Sequence, residues 1–380
     1  MLDPHDRERL DALYNRMLDA NETSLGYPSA KDFEYGDLDR FLKFPINNIG
    51  DPFAEGTYRV ETREFEREVV QFFADLFRAP QDDWWGYVTN GGTEGNLYGL
   101  YLAREMLPNG MVYYSEQTHY SVAKNLHFLG MRHITIRSQA SGEIDYEDLR
   151  ETLKIHRDVP PIIFANIGTT MTEARDDIRR IASIMDDLAI RQRYIHSDAA
   201  LSGGYAGFLN PRPRYDFEDG ADSIAVSGHK FLGAPIPCGV VIARKRNVQR
   251  IARAIDYIGN LDTTISGSRN GFTPLMLWYR LEELGIDGIR RRLAHSLDLA
   301  EYLERRLQAA SIDAWRNPNA ITVVMPRVSE ALRTKWQLAT AGSISHVIVL
   351  PNVTREQIDA FLADVNAELY AREAACRVSG

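Results

Sequence analysis

Lys230 stands in the stretch Ser227-Gly228-His229-Lys230-Phe231-Leu232-Gly233-Ala234-Pro235-Ile236-Pro237-Cys238-Gly239. One apolar run, Ser223-Ile224-Ala225-Val226, precedes it, and another, Gly239 to Ala243, follows. Such surroundings solvate an ammonium poorly. Lysine is rarely buried without a task, and loss of hydration lowers its pKa until the amine becomes a nucleophile toward carbonyls. An exposed loop lysine is the other reading of this stretch taken alone. Elsewhere Lys154 and Lys335 lie in polar stretches, Lys245 in an Arg-Lys-Arg run, and Lys31 and Lys43 among mixed charges. Lys230 is the one in apolar company.

A second chemical feature is Asn90-Gly91-Gly92-Thr93-Glu94-Gly95-Asn96, which follows the strand-like Trp85-Gly86-Tyr87-Val88-Thr89 and opens a helix. A glycine turn between a strand and a helix aims several backbone N–H groups at one spot, where a phosphate can sit. The pattern is neither G-x-G-x-x-G nor a Walker P-loop, so nicotinamide and ATP lose their best support. Asp198 ends another apolar run, with small Ala200 two residues on. His119 follows a third run in Thr118-His119-Tyr120-Ser121. Each residue alone has an ordinary reading as a bare turn, a capping aspartate or a surface histidine. Together they are the groups that pyridoxal 5'-phosphate requires: an amine for the aldehyde, a phosphate cradle, and a carboxylate for the ring nitrogen. On this reading His119 covers one ring face and Ala200 leaves room for the ring. Gly92, Thr93, Ser227 and His229 surround the phosphate, while Asn166 and Thr169 could reach the ring oxygen.

These residues need elements that bring them to one place. Strands are expected at Trp85–Thr89, Val112–Ser115, His133–Ile136, Pro161–Asn166, Tyr194–Asp198, Ser223–Val226 and Gly239–Ala243. Amphipathic helices alternate with them, as in Ile178, Ile181, Ile184, Met185 and Leu188. That alternation predicts an α/β fold with a mainly parallel seven-stranded sheet, whose ligands gather at the carboxyl ends of the strands. The chain divides into an N-terminal arm (1–50), a large domain (51–270) and a small C-terminal α/β domain (271–380). Leu10, Leu13, Met17 and Leu18 give the arm one apolar helical face, as expected of an arm that wraps a neighbouring surface.

Composition excludes several classes. With 44 basic against 53 acidic residues and a formal charge of −9, the chain does not read as a nucleic-acid or anionic-membrane binder. The two cysteines, Cys238 and Cys376, lack metal-ligand spacing. The first residues do not form a signal peptide, and no apolar run reaches membrane-spanning length. A cytoplasmic protein without a metal is expected.

The motifs quoted above, with Ala165-Asn166-Ile167-Gly168-Thr169-Thr170, Asp198-Ala199-Ala200-Leu201-Ser202-Gly203 and Gly267-Ser268-Arg269-Asn270-Gly271, resemble the bacterial pyridoxal-phosphate-dependent histidine decarboxylases. These are members of the group II amino-acid decarboxylases. The likeness runs nearly end to end and includes Gly26-Tyr27-Pro28 and Ile46-Asn47-Asn48. Plant serine decarboxylases carry similar motifs, so substrate is less tightly specified than family. The resemblance implies the aspartate-aminotransferase-like fold (fold type I) and a homodimer with active sites at the subunit interface. It implies Lys230 as the lysine that binds the cofactor aldehyde, Asp198 at the pyridine nitrogen, and His119 on the ring near the substrate. Tyr257 falls where related enzymes carry a tyrosine near the substrate α-carbon. Tyr27, Pro28, Ser202 and Arg269 are candidates for contact with the amino-acid substrate, and Arg269 equally for an interface. Ser197 and Phe272 depart from the family pattern, standing where Ala and His are expected. Histidine decarboxylation is the leading expectation. Decarboxylation of serine or another amino acid, aminotransfer, and a catalytically silent cofactor-binding protein are the alternatives.

Overall fold

Seven short apolar runs pair into one sheet in the computed structural model, which describes residues 2–256 and 259–379, with side chains described through residue 369. The strands are β1 (Trp85–Thr89), β2 (Met111–Ser115), β3 (His133–Ile136), β4 (Pro161–Asn166), β5 (Tyr194–Asp198), β6 (Ser223–Ser227) and β7 (Gly239–Ala243). Their order is β1-β7-β6-β5-β4-β2-β3. Every residue of β1, β4, β5, β6 and β7 is buried. That explains why these strands read as continuous apolar runs rather than alternating ones.

All neighbouring strands are parallel except at β7, which runs antiparallel to both β1 and β6. The cause is the connection. Parallel crossovers need a dozen or more residues and normally a helix, and residues 228–238 are too few. The chain therefore turns straight back. Lys230 lies in this reversal. Because β7 reverses, its first residue, Gly239, pairs with both Ser227 at the end of β6 and Thr89 at the end of β1. The glycine turn after β1 is thereby drawn to the edge that carries Lys230.

Helices alternate with the strands as the periodicity predicts. They are α1 (Pro4–Glu22), α2 (Arg63–Leu76), α3 (Gly92–Met106), α4 (Ser121–Leu129), α5 (Tyr146–Ile155), α6 (Ile178–Asp187) and the short α7 (Lys245–Val248). The hairpin β8 (Arg253–Ile255) and β9 (Asn260–Asp262) then leads to α8 (Phe272–Ala309). A break at Gly285 (φ 54°, ψ 178°) divides α8 into two helical segments. After it come β10 (Thr322–Pro326), α9 (Glu330–Lys335), β11 (Ala339–Ala341), β12 (Ile344–Ile348) and α10 (Arg355–Ser379).

The chain forms two compact units, Ser29–Leu293 and a second made of Met1–Pro28 with Ala294–Gly380. The larger takes in residues 29–50 and 271–293, which the sequence texture places outside the large domain. Hydrogen bonds explain the inclusion: Arg280 Nη2 donates to Asp32 O at 2.6 Å, and Tyr35 Oη donates to Gly233 O at 2.7 Å. In the other unit β10, β12 and β11 form an antiparallel sheet. There α1 has no buried residue, and the apolar face read from its sequence is open, with Leu10 53% and Met17 62% exposed.

Candidate active site

The residues singled out for chemistry meet at the carboxyl edge of the large sheet. Asn166 pairs with Asp198, and Asp198 with Ala225, in the parallel register of β4, β5 and β6. Lys230 follows β6 in a π-helical turn, His229–Gly233. Donors from outside satisfy the carbonyls of that turn. Ala30 N donates to Lys230 O at 3.0 Å, Arg292 Nη2 to Phe231 O at 2.7 Å, and Arg280 Nε to Leu232 O at 3.0 Å. Tyr35 supplies the fourth, to Gly233 O. A lysine on a turn held at four successive carbonyls has a fixed origin for its side chain. Burial lowers the Lys230 pKa, and the neighbouring Asp198 partly opposes that shift.

Asp198 is buried. Its Oδ2 accepts from Asn96 Nδ2 at 2.8 Å and its Oδ1 from the Ala200 N–H at 3.1 Å. Burial raises its pKa, while the Ala200 N–H, Lys230, Asn96 and His119 pull it back down. His119 is half-buried at the start of α4. Its Nδ1 faces Ser121, with the backbone N–H at 3.3 Å and Oγ at 2.8 Å. Burial lowers the His119 pKa, Asp198 raises it, and Lys230 lowers it again. Lys230, Asp198 and His119 thus lie within electrostatic reach of one another.

The glycine turn closes the site. A Cβ on Gly92 would lie 2.8 Å from Ser227 Oγ and 2.9 Å from the Ala200 Cβ, so α3 can start this close to β5 and β6 only with glycine there. The first helical bond runs from Gly95 N to Gly91 O, leaving the preceding N–H groups without helical acceptors. They join Ser227 and His229, whose Nδ1 lies 2.8 Å from Cys238 O. The set suits a phosphate. Thr93 is exposed, and its carbonyl accepts from Asn125 Nδ2 at 3.1 Å.

Other candidates sit differently. The Asn166 amide faces Ser115 Oγ at 3.1 Å, Thr118 Oγ1 at 3.0 Å and Asp176 Oδ2 at 3.3 Å. Thr169 Oγ1 lies 2.9 Å from Thr172 Oγ1 and accepts from the Ala174 N–H. Both side chains brace the loop after β4. Arg269 is buried in a two-pronged ion pair with Glu66 and also donates to Gly50 O at 3.0 Å. Glu66 further accepts from Val88 N at 2.9 Å and Asn48 Nδ2 at 2.8 Å. A guanidinium so engaged anchors β1 and α2; in this conformation it offers no face to a substrate carboxylate. Ser202 is buried 3.4 Å from Tyr205 Oη. Tyr27 and Pro28 belong to the other unit, where Tyr27 is exposed. Tyr257 lies outside the described residues. Sequence reading gave no role to Asn96, which orients Asp198, or to Glu66. A charge inside the apolar face of α2 is the signal that marks Glu66.

The conserved-domain model of pyridoxal-dependent decarboxylases matches residues 58–325. The chain belongs to the pyridoxal-dependent decarboxylase family. This decarboxylase is 53% identical over 366 residues to a histidine decarboxylase of Mesorhizobium japonicum, covering 96% of this chain and 99% of that one. It is 47% identical over 367 residues to a histidine decarboxylase of Morganella morganii, covering 96% and 97%. The solved L-methionine decarboxylase of Streptomyces sp.590 superposes with a TM-score of 0.88 at 30% identity, over 96% of each chain. The large sheet of this decarboxylase is that of a fold type I enzyme, and its cofactor is pyridoxal 5'-phosphate. The residues present fit the group, with a cradle that a Cβ at position 92 would fill, a buried carboxylate, and a lysine whose burial favours the free amine. Gly92→Ala is expected to weaken cofactor affinity roughly tenfold, about 1.4 kcal/mol, because the Cβ displaces Ser227 or Ala200. Titration of the apoprotein followed by absorbance measures it.

Proposed function

We propose that this decarboxylase converts L-histidine to histamine and carbon dioxide. One observation carries the reading: the chain is 53% and 47% identical, over 96% of its length, to two proteins named histidine decarboxylase. Its identity to the L-methionine decarboxylase is only 30%.

When bound, pyridoxal 5'-phosphate supplies an electron sink that accepts the bonding pair left on the α-carbon as carbon dioxide departs. Residues of this chain do the rest. Lys230 would contribute the amine that holds the cofactor aldehyde. Asp198 keeps a proton on the ring nitrogen, which makes the sink effective. The N–H groups of Gly92 and Thr93, with Ser227 and His229, hold the phosphate. His119 would cover one face of the ring. His119, Tyr257 and Lys230 are the candidate donors of the proton that replaces the carboxyl group. Tyr27, Pro28 and Arg269 stay candidates for substrate selection, Arg269 through its hold on β1. Asn166 and Thr169 act by bracing the loop beside the ring.

The open apolar face of α1 supports a homodimer, since a second copy offers the burial that the Leu10, Leu13, Met17 and Leu18 pattern calls for. No described helix is long and apolar enough to cross a membrane, in keeping with a cytoplasmic setting. Amine release from each of the twenty amino acids, resolved by mass spectrometry, tests the substrate. Histidine is expected to give histamine faster than any other amino acid gives its amine. Ethanolamine from serine with no histamine from histidine would reject the proposal.

A further inference from the structure

Behind Asp198 lies a chain of buried polar groups that the cofactor chemistry above does not use. His196 precedes Asp198 by two residues in β5 and therefore shares its sheet face. Its ring is fully buried, with Nε2 2.9 Å from Asn96 Oδ1 and Nδ1 2.7 Å from Ser223 Oγ. Tyr194 Oη donates to Ser223 Oγ at 2.9 Å. At the other end Asn96 Nδ2 donates to Asp198 Oδ2.

With Asp198 ionised, only one arrangement of protons satisfies this chain. An ionised carboxylate accepts and cannot donate, so the amide nitrogen of Asn96 faces Asp198 and its carbonyl faces His196. His196 must then donate from Nε2, because a bare Nε2 would set two acceptors against each other at 2.9 Å. Nδ1 is left to accept from Ser223, whose oxygen accepts from Tyr194. Every hydrogen bond thus points toward Asp198, and reversing any one leaves buried groups unsatisfied. Burial also pushes the His196 pKa down to about 3, so the ring stays neutral and keeps this order at working pH.

The helix opposite is shaped to the ring. A Cβ on Gly99 would lie 2.1 Å from His196 Nδ1 and 2.4 Å from its Cε1. Glycine is a poor residue in a helix interior, and here it is what admits the imidazole between α3 and β5. Phe164 flanks the same ring, with centroids 5.1 Å apart.

We propose that His196 is a positioning residue for the decarboxylation: through Asn96 it fixes the Asp198 carboxylate and holds it ionised for the cofactor nitrogen. The proposal rests on Asp198 being the partner of that nitrogen, and it is indifferent to which amino acid is the substrate.

The test reads the apoprotein first. In protein labelled with nitrogen-15 histidine, NMR is expected to find His196 protonated at Nε2, bare at Nδ1 and not titrating across the neutral range. A proton on Nδ1 would overturn the proposal on the wild-type protein, whether or not any variant folds. Two substitutions then separate positioning from packing. His196→Leu is expected to move the Asp198 carboxyl titration to higher pH, read by infrared spectroscopy and assigned with Asp198→Asn. In the loaded enzyme it is expected to lower kcat on the order of 10- to 100-fold, the scale for removing a group that orients a ligand, with KM little changed. His196→Gln retains an N–H for Asn96 and is expected to recover most of the loss. An Asp198 titration that stays in place in His196→Leu, or Leu and Gln variants that behave alike, would overturn it. Failure of the histamine assay with these results intact would reject the substrate alone.

Discussion

Replacing Lys230 by alanine is expected to abolish the visible absorption band of the bound cofactor and to lower amine formation on the order of 10⁵- to 10⁶-fold, the scale for losing a covalent nucleophile. The reason is positional. No other described lysine stands on the reversal between β6 and β7, where four carbonyls of the turn are held from outside. Lys31 also has its pKa lowered by burial, but Asp198 does not act on it as it does on Lys230. The substitution leaves the turn's backbone bonds intact and removes an amine that burial already biases toward its neutral form, so the melting temperature of the apoprotein is expected to change little. Absorbance, histamine release and thermal unfolding of the one variant check all three points. A variant that keeps the band and turns over at the parental rate would remove Lys230 from the reaction.

Asp198→Ala is expected to lower kcat on the order of 10²- to 10³-fold, as does loss of a preorganised charge in other enzymes, while Lys230 still holds the cofactor. The direction follows from what the carboxylate does. Burial raises its pKa, and the Ala200 N–H, Lys230, Asn96 and His119 each favour the ionised form. A group with a raised folded pKa loses its charge first as pH falls, so the acid limb of the wild-type rate reports it, and the alanine variant should lack that limb. The variant's absorption band should persist, because its amine is untouched. Rate profiles against pH for wild type and variant, with spectra over the same range, measure both effects. A variant within threefold of wild type would show that the ring nitrogen needs no carboxylate here.

Much of this site was legible because its chemistry lies at the ends of apolar strands. Asp198, Ser227 and Thr89 each close a run buried on both faces, and such runs stand out in a sequence. The reversal at β7 was less visible: Gly239–Ala243 reads like any other buried strand, and only the short connection before it forces the antiparallel direction. Asn166 and Thr169 were read toward the ring, yet their polar atoms serve Ser115, Thr118, Asp176 and Thr172. Sequence puts them beside the site but does not say which way an amide or hydroxyl turns. Arg269 illustrates the same limit. Its partner Glu66 is 203 positions away in the chain, beyond what local pattern can pair. His196 was overlooked although its signal was present, since an imidazole inside a fully apolar strand must find partners for both nitrogens. The arm helix shows the converse case: its apolar residues were legible in the sequence and stand exposed in the structure, and a local pattern does not say what covers them.

Peptide mapping of the loaded enzyme after borohydride reduction tests most directly whether the site is built around Lys230. Reduction fixes the cofactor to whichever amine holds it, and mass spectrometry of the digest names the residue. The phosphopyridoxyl adduct is expected on the peptide containing Ser227-Gly228-His229-Lys230, at Lys230. An adduct at Lys31, Lys124 or any other lysine, with Lys230 unmodified, would contradict the assignment.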